Sequence, residues 1–207
     1  MRTVLGGLTA FFAGRAHAQA KPERSAGSAA APPDLAVRLD VVESRQAITE
    51  VLYRYAQGDD RADETLKRTC FWPEATVKYG SFDGTATDFV TFAMKIVRPL
   101  KFCSHHVSNP WIEIRGDRAV SDCHYFAHHR RLASTGNGEE DAFFEGRYVD
   151  RFERRDGVWK IAHRRGLRDY NAVIPADSKA EIPKDQRSGR VPDDPLYIML
   201  AELRAGR

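Results

Sequence analysis

The 207-residue sequence predicts an α+β domain, with N-terminal helices packed on a strongly curved, mostly antiparallel sheet. Within the domain, helical periodicity lies in the part of the chain before Pro99. After it come long stretches of strand character, separated by the turn signals Arg115-Gly116-Asp117 and Arg155-Asp156-Gly157. A long curved sheet closed by helices makes a cone, and the mouth of a cone is a natural ligand pocket.

From Leu35 to Ala56 the apolar residues Val41, Ile48, Val51, Leu52 and Tyr55 recur at helical spacing, and Gly58 is expected to end that helix. Asp59 or Asp60 is expected to cap a second, short helix through Leu66, broken by Phe71-Trp72-Pro73. Thr76 to Tyr79 reads as a strand and Ser81-Phe82-Asp83-Gly84 as a turn. Thr85 can cap a third helix, with Phe89, Phe92, Ala93 and Ile96 on one face. Strands are then expected over Phe102–Ile114, with a bend at Pro110, and over Arg118–Leu132, Ala142–Arg154 and Val158–Leu167. Ser134 to Glu140 reads as a polar loop. The domain proper is placed at 37–172. Residues 173–207 form an extension, with a short helix over Leu196–Leu203, which closes the pocket or reaches a neighbouring subunit.

The N-terminal residues are read apart from the domain. Arg2, the mostly apolar run Thr3–Gly14 and the small-x-small site Ala16-His17-Ala18 follow the plan of a secretory signal peptide over 1–18. With a signal the product is periplasmic or secreted; without one it is cytoplasmic. Residues 19–36, rich in Ala, Ser, Pro and charge, read as a linker.

A net charge of +3, from 32 basic and 29 acidic residues that are interspersed, gives no basic stripe and argues against a nucleic-acid partner. Arg164, Arg165 and Arg168 lie close in sequence to Asp150, Glu153, Asp156 and Asp169, and most of that group reads as solvated surface. The apolar run at the N-terminus is too short to cross a membrane, and no membrane partner is expected. The cysteines Cys70, Cys103 and Cys123 match no zinc or redox spacing. They read as buried free thiols, with a Cys103–Cys123 bridge left open.

The candidate chemistry lies in carboxylates, imidazoles and phenols. Asp59 and Asp60 stand at a helix junction, where a carboxylate either caps a helix or points into the cone. His105-His106 lie on a strand, whose alternation sends one imidazole to each face. An inward histidine paired with a buried aspartate becomes a fixed proton acceptor. His124, His128 and His129 follow on the next strand, without HExxH or other metal-ligand spacing, so no metal is assigned. Tyr55 and Tyr79 offer hydroxyls to a substrate oxygen. There is no phosphate loop, no G-x-S-x-G elbow and no Cys–His nucleophile pattern, which narrows the chemistry toward proton transfer without a covalent intermediate, and no cofactor is assigned.

Four stretches carry a resemblance: Ile48–Asp60 (ITEVLYRYAQGDD), Phe71–Ala75 (FWPEA), His105–Asn109 (HHVSN) and Gly146–Ala162 (GRYVDRFERRDGVWKIA). Together they resemble the SnoaL-like branch of the nuclear transport factor 2-like superfamily. The closing hairpin is similar to that of hexachlorocyclohexane dehydrochlorinase, and scytalone dehydratase and bile acid 7α-dehydratase are more distantly similar. The resemblance implies a cone fold, a homotrimer and a His–Asp dyad that removes a proton from a small organic substrate while water or halide departs. It places Asp60 and His105 in the dyad and Tyr55 where these enzymes carry a pocket tyrosine or lysine. Tyr79, His129 and Arg164 fall at substrate-binding positions. Strict alternation from Trp159 puts Arg164 on the opposite face, so its role requires a bulge. Isomerase or cyclase chemistry in the same pocket, or a non-catalytic binding or assembly role, are the alternatives.

Overall fold

A computed structural model describes residues 34–176 and 182–206; the leader and most of the linker read from the sequence lie outside this range. Helix α1 (Leu35–Asp60) is followed by the short α2 (Glu64–Arg68), strands β1 (Phe71–Tyr79) and β2 (Phe82–Thr85), and helix α3 (Ala86–Val97). Then come four long strands, β3 (Phe102–Arg115), β4 (Arg118–Leu132), β5 (Glu139–Arg155) and β6 (Val158–Pro175), and a C-terminal helix α4 (Pro195–Arg204). One six-stranded, unclosed sheet has the order β2-β1-β6-β5-β4-β3. Every neighbour is antiparallel except β1 and β6, which run parallel. The α+β architecture is the one expected. Ile48, Val51, Leu52 and Tyr55 of α1, with Phe89, Val90 and Met94 of α3, form one apolar core with inward residues of the sheet.

Several local expectations are corrected. Helix α1 runs through Gly58 to Asp60, so this glycine is not a stop signal. A Cβ at Gly58 would lie 2.7 Å from Cβ of Lys67, and the glycine is needed to let α2 approach α1. Neither Asp59 nor Asp60 caps α2; Asp63 does, accepting from the Leu66 amide at 2.9 Å. Phe71-Trp72-Pro73 opens β1 rather than merely breaking a helix, and Phe82–Thr85 is a strand rather than a turn. Thr85 caps α3 as expected, but Phe92 and Ile96 are exposed, while Val90, Met94 and Val97 join Phe89 and Ala93 in the core. Val41, likewise expected on the core side of α1, is exposed. The three cysteines are buried free thiols, and no Cys103–Cys123 bridge forms.

Two irregularities set which side chains face the helices. The β3–β4 register slips between Ser108 and Trp111, where Asn109 has φ 52° and Pro110 follows. Inward positions therefore change from Cys103, His105 and Val107 to Ile112 and Ile114. On β6 a bulge falls between Ile161 and His163, with Ala162 absent from the pairing on both sides. It moves the buried set from Trp159 and Ile161 to Arg164 and Gly166. The bulge that an inward Arg164 requires is present.

The C-terminal extension returns to its own domain. Val191 N–H donates to the Arg61 carbonyl at 3.1 Å and Tyr197 Oη to Asp63 at 2.7 Å. The Arg190 guanidinium donates to the carbonyls of Val97 and Leu100, at 3.2 and 3.1 Å. This strap is fastened to the residues next to Asp60.

Candidate active site

The last turn of α1 places two adjacent carboxylates in different surroundings. Asp59 is buried and pairs with Lys67, whose ammonium is 0% exposed and lies 3.9 Å from the Tyr55 ring centroid. Burial works against the charge on Lys67, but Asp59 and the Tyr55 hydroxyl hold its pKa above the usual value. Asp60 is turned the other way. Its Oδ1 lies 2.8 Å from His105 Nδ1, with 21% of the aspartate side chain exposed and 8% of the histidine. A carboxylate can only accept, so Nδ1 carries the proton and Nε2 is left with the basic lone pair.

His129, opposite Cys103 in the β3–β4 register, stands edge-on to His105 with ring centroids 5.2 Å apart. Its Nε2 is buried without a partner among the described residues, and burial followed by the neighbouring His105 pushes its pKa down to about 3. Cys103 Sγ lies 3.7 Å from His105 Nδ1; burial, then Asp60 and Asp59, push this thiol up, so it is neutral at ordinary pH. His106, His124 and His128 face outward, as alternation requires, and His128 bonds to Asp141 at 2.8 Å.

A second polar group lies deeper. Arg164 is 1% exposed and pairs in bidentate fashion with Asp150, at 2.8 and 2.7 Å. Its guanidinium carbon is 3.9 Å from the Tyr55 ring centroid and 4.2 Å from that of Tyr148. Burial opposes the Arg164 charge, yet Asp150 holds its pKa well above the usual value. The solvated-surface reading fails for this pair. Burial also raises the Tyr55 hydroxyl pKa, so Tyr55 stays neutral between its two cations. Tyr79 Oη is 2.7 Å from Tyr125 Oη, which lies 3.2 Å from the Leu167 carbonyl. Gly166 makes room for this ring, since a Cβ there would fall 2.0 Å from Cδ2 of Tyr79.

The six residues singled out in the sequence thus fall into three groups. Asp60, His105 and His129 meet; Tyr55 and Arg164 meet; Tyr79 pairs with Tyr125, and all three tyrosines pack on Tyr148. Two surface hollows, of about 260 and 350 Å³, lie elsewhere, and neither is lined by Asp60 or His105. Sequence reasoning missed Lys67, Cys103 and Asp150 as members of the site. Alternation from Tyr148 and Phe152 could have found Asp150, and alternation from His105 could have found Cys103. A five-residue helix offers no periodicity that could have found Lys67.

Residues 40–165 match the SnoaL-like domain family, more than half of the chain. The chain belongs to that family. Solved structures similar to this SnoaL-like chain include a type-2 hexachlorocyclohexane dehydrochlorinase, 22% identical with a TM-score of 0.62 over 71% of this chain and 99% of that one. A type-3 dehydrochlorinase from Novosphingobium barchaimii is 21% identical, TM-score 0.58, covering 70% and 99%. A candidate scytalone dehydratase from Novosphingobium aromaticivorans is 21% identical, TM-score 0.59, covering 73% and 99%. At such identities the likeness is one of fold. No curated protein matches the chain significantly.

Proposed function

We propose that this SnoaL-like protein is a lyase that eliminates water or halide from a small hydrophobic organic molecule, with His105 as general base and Asp60 as its orienting carboxylate. The 2.8 Å contact between His105 Nδ1 and Asp60 Oδ1 carries this reading. In the proposed step Nε2 takes a proton from carbon, the C–H electron pair becomes the new double bond, and the leaving group departs from the adjacent carbon. Asp60 stabilises the imidazolium so formed. A departing hydroxide takes its proton from Tyr79, whose hydroxyl is backed by Tyr125. Tyr55 and Arg164 hold the deep end of the site in place, and His129, neutral and edge-on to the base, flanks the substrate. The protein works without a cofactor in this reading and assembles as the homotrimer that the resemblance implies.

Two measurements test it. Histidine nitrogen NMR is expected to show His105 as the Nδ1–H tautomer in the wild type; an Nε2–H tautomer would overturn the assignment. Mass spectrometry of a panel of β-hydroxy and β-halo cyclic compounds is expected to show loss of water or hydrogen halide, and undiminished turnover by His105→Gln would end the mechanism.

One observation favours a second reading, a binding or assembly subunit without catalysis. Tyr55, Tyr125 and Tyr148 are buried, and Tyr55, Tyr79 and Tyr125 all pack on Tyr148 in the interior, filling space that a substrate would need. In that case no member of the panel is turned over, and Asp60→Asn changes only stability or assembly.

A further inference from the structure

We propose that Cys103, His105 and His129 form a binding site for a single borderline-soft divalent cation of the zinc class. The three side chains each offer one ligand atom, and these atoms all lie within 4.8 Å of one another. The Cys103 Sγ to His105 Nδ1 separation of 3.7 Å falls close to the roughly 3.6 Å expected between a sulfur and a nitrogen at about 2.3 and 2.1 Å from one tetrahedral ion, so the ion would take the place of the Nδ1 proton and of its bond to Asp60. Imidazole and thiolate together suit zinc rather than magnesium or calcium.

The arrangement follows from strand geometry. Cys103 and His105 are two residues apart on β3 and so share a face, and His129 is the direct cross-strand partner of Cys103 on β4. Sequence motifs do not reveal a site of this kind, because its third ligand comes from register rather than spacing. The second observation is the state of His129. Its Nε2 is buried and has no partner among the described residues, and an unsatisfied buried nitrogen of this kind is costly. Asp60 Oδ1, beside His105, adds a negative charge next to the three ligands. The neutral Cys103 thiol gives up its proton to solvent as the sulfur–metal bond forms.

Bound at Nδ1, the cation would leave the imidazole proton on Nε2, the atom that the proposed elimination uses as its base. Binding and proton abstraction are then mutually exclusive, and the metal is an inhibitor of that reaction. This consequence rests on the proposed function; the binding itself does not.

The test uses the full, untagged chain stripped with a chelator and titrated with Co²⁺, followed by displacement with Zn²⁺. One equivalent is expected to bind, with a thiolate-to-cobalt charge-transfer band in the near ultraviolet. Cys103→Ala is expected to abolish the band and weaken binding at least about tenfold. Cys70→Ala and Cys123→Ala should leave both unchanged. His129→Gln should keep the band but weaken binding, which retains a test if Cys103→Ala does not fold by circular dichroism. Absence of saturable binding, or wild-type affinity and band in Cys103→Ala, would overturn the site. Cobalt binding in a protein whose turnover survives His105→Gln would leave the site standing and remove the lyase reading. Loss of turnover in His105→Gln, without cobalt binding in the wild type, would do the reverse.

Discussion

Asp59 and Asp60 are neighbours in sequence, yet they end in opposite chemical conditions. Asp59 is buried against Lys67, and the same interior holds the Asp150–Arg164 pair, with Tyr55 lying against both cations. In this region each acid has a permanent, oppositely charged partner. Around Asp60 the partner is an imidazole whose charge is conditional, and beyond it lie His129 with an unpartnered nitrogen and Cys103 with a neutral thiol. Groups saturated by fixed charges position the site, whereas groups with bonding capacity to spare can accept a proton, a substrate or a metal. The difference arises because consecutive residues on a helix point about 100° apart. One residue of rotation separates a carboxylate paired with a buried ammonium from one paired with an imidazole.

Exchanging each acid for its amide tests the contrast most strongly. Asp60→Asn is expected to lower turnover by about a hundred- to ten-thousand-fold with the melting temperature almost unchanged. Asp59→Asn is expected to act first on stability, measured by thermal melting, because it leaves a buried ammonium unpaired. Equal effects of the two on turnover and melting would erase the distinction. Somewhat smaller is the expected loss from Lys67→Ala or Asp150→Ala. Each breaks a buried ion pair and should destabilise the fold by about 3–5 kcal/mol in denaturant titrations. Replacing both Lys67 and Asp59 by apolar residues of similar volume should recover much of it. The smallest effect is that of Gly58→Ala, at about 1–3 kcal/mol, since its Cβ would meet the Cβ and backbone of Lys67. Wild-type stability in that variant would mean that α2 is free to move away from α1.

The sequence made the strand meander legible because strand signals are local. The bounds of β4 are those read from the sequence, and the turns at Gly116 and Gly157 lie where expected, both with positive φ. The Asp60–His105 contact follows the pairing that the resemblance implies, whereas alternation on β3 gave only that one of the two adjacent histidines faces inward. What escaped depended on contacts between elements. Gly58 looks like a helix stop until Lys67 is seen against it. Arg164 and Asp150 look like surface charges until the register places them side by side, and β6 runs to Pro175 because β5 continues alongside it. The metal triad needs a cross-strand partner that no spacing rule encodes.

The bulge at Ala162 has a consequence for tolerance to length changes. Ala162 has no partner in either neighbouring strand, and both it and His163 precede the point where β6 resumes its phase with Arg164 inward. Removing Ala162 alone would leave Ile161, Arg164 and Gly166 facing the core, merely straightening the strand. Removing Lys160 or Arg165 would instead put Trp159, or Gly166 and Leu167, out of phase with the core. The strand therefore carries one spare residue, and loss of the Ala162 codon should be better tolerated than loss of the Lys160 or Arg165 codon.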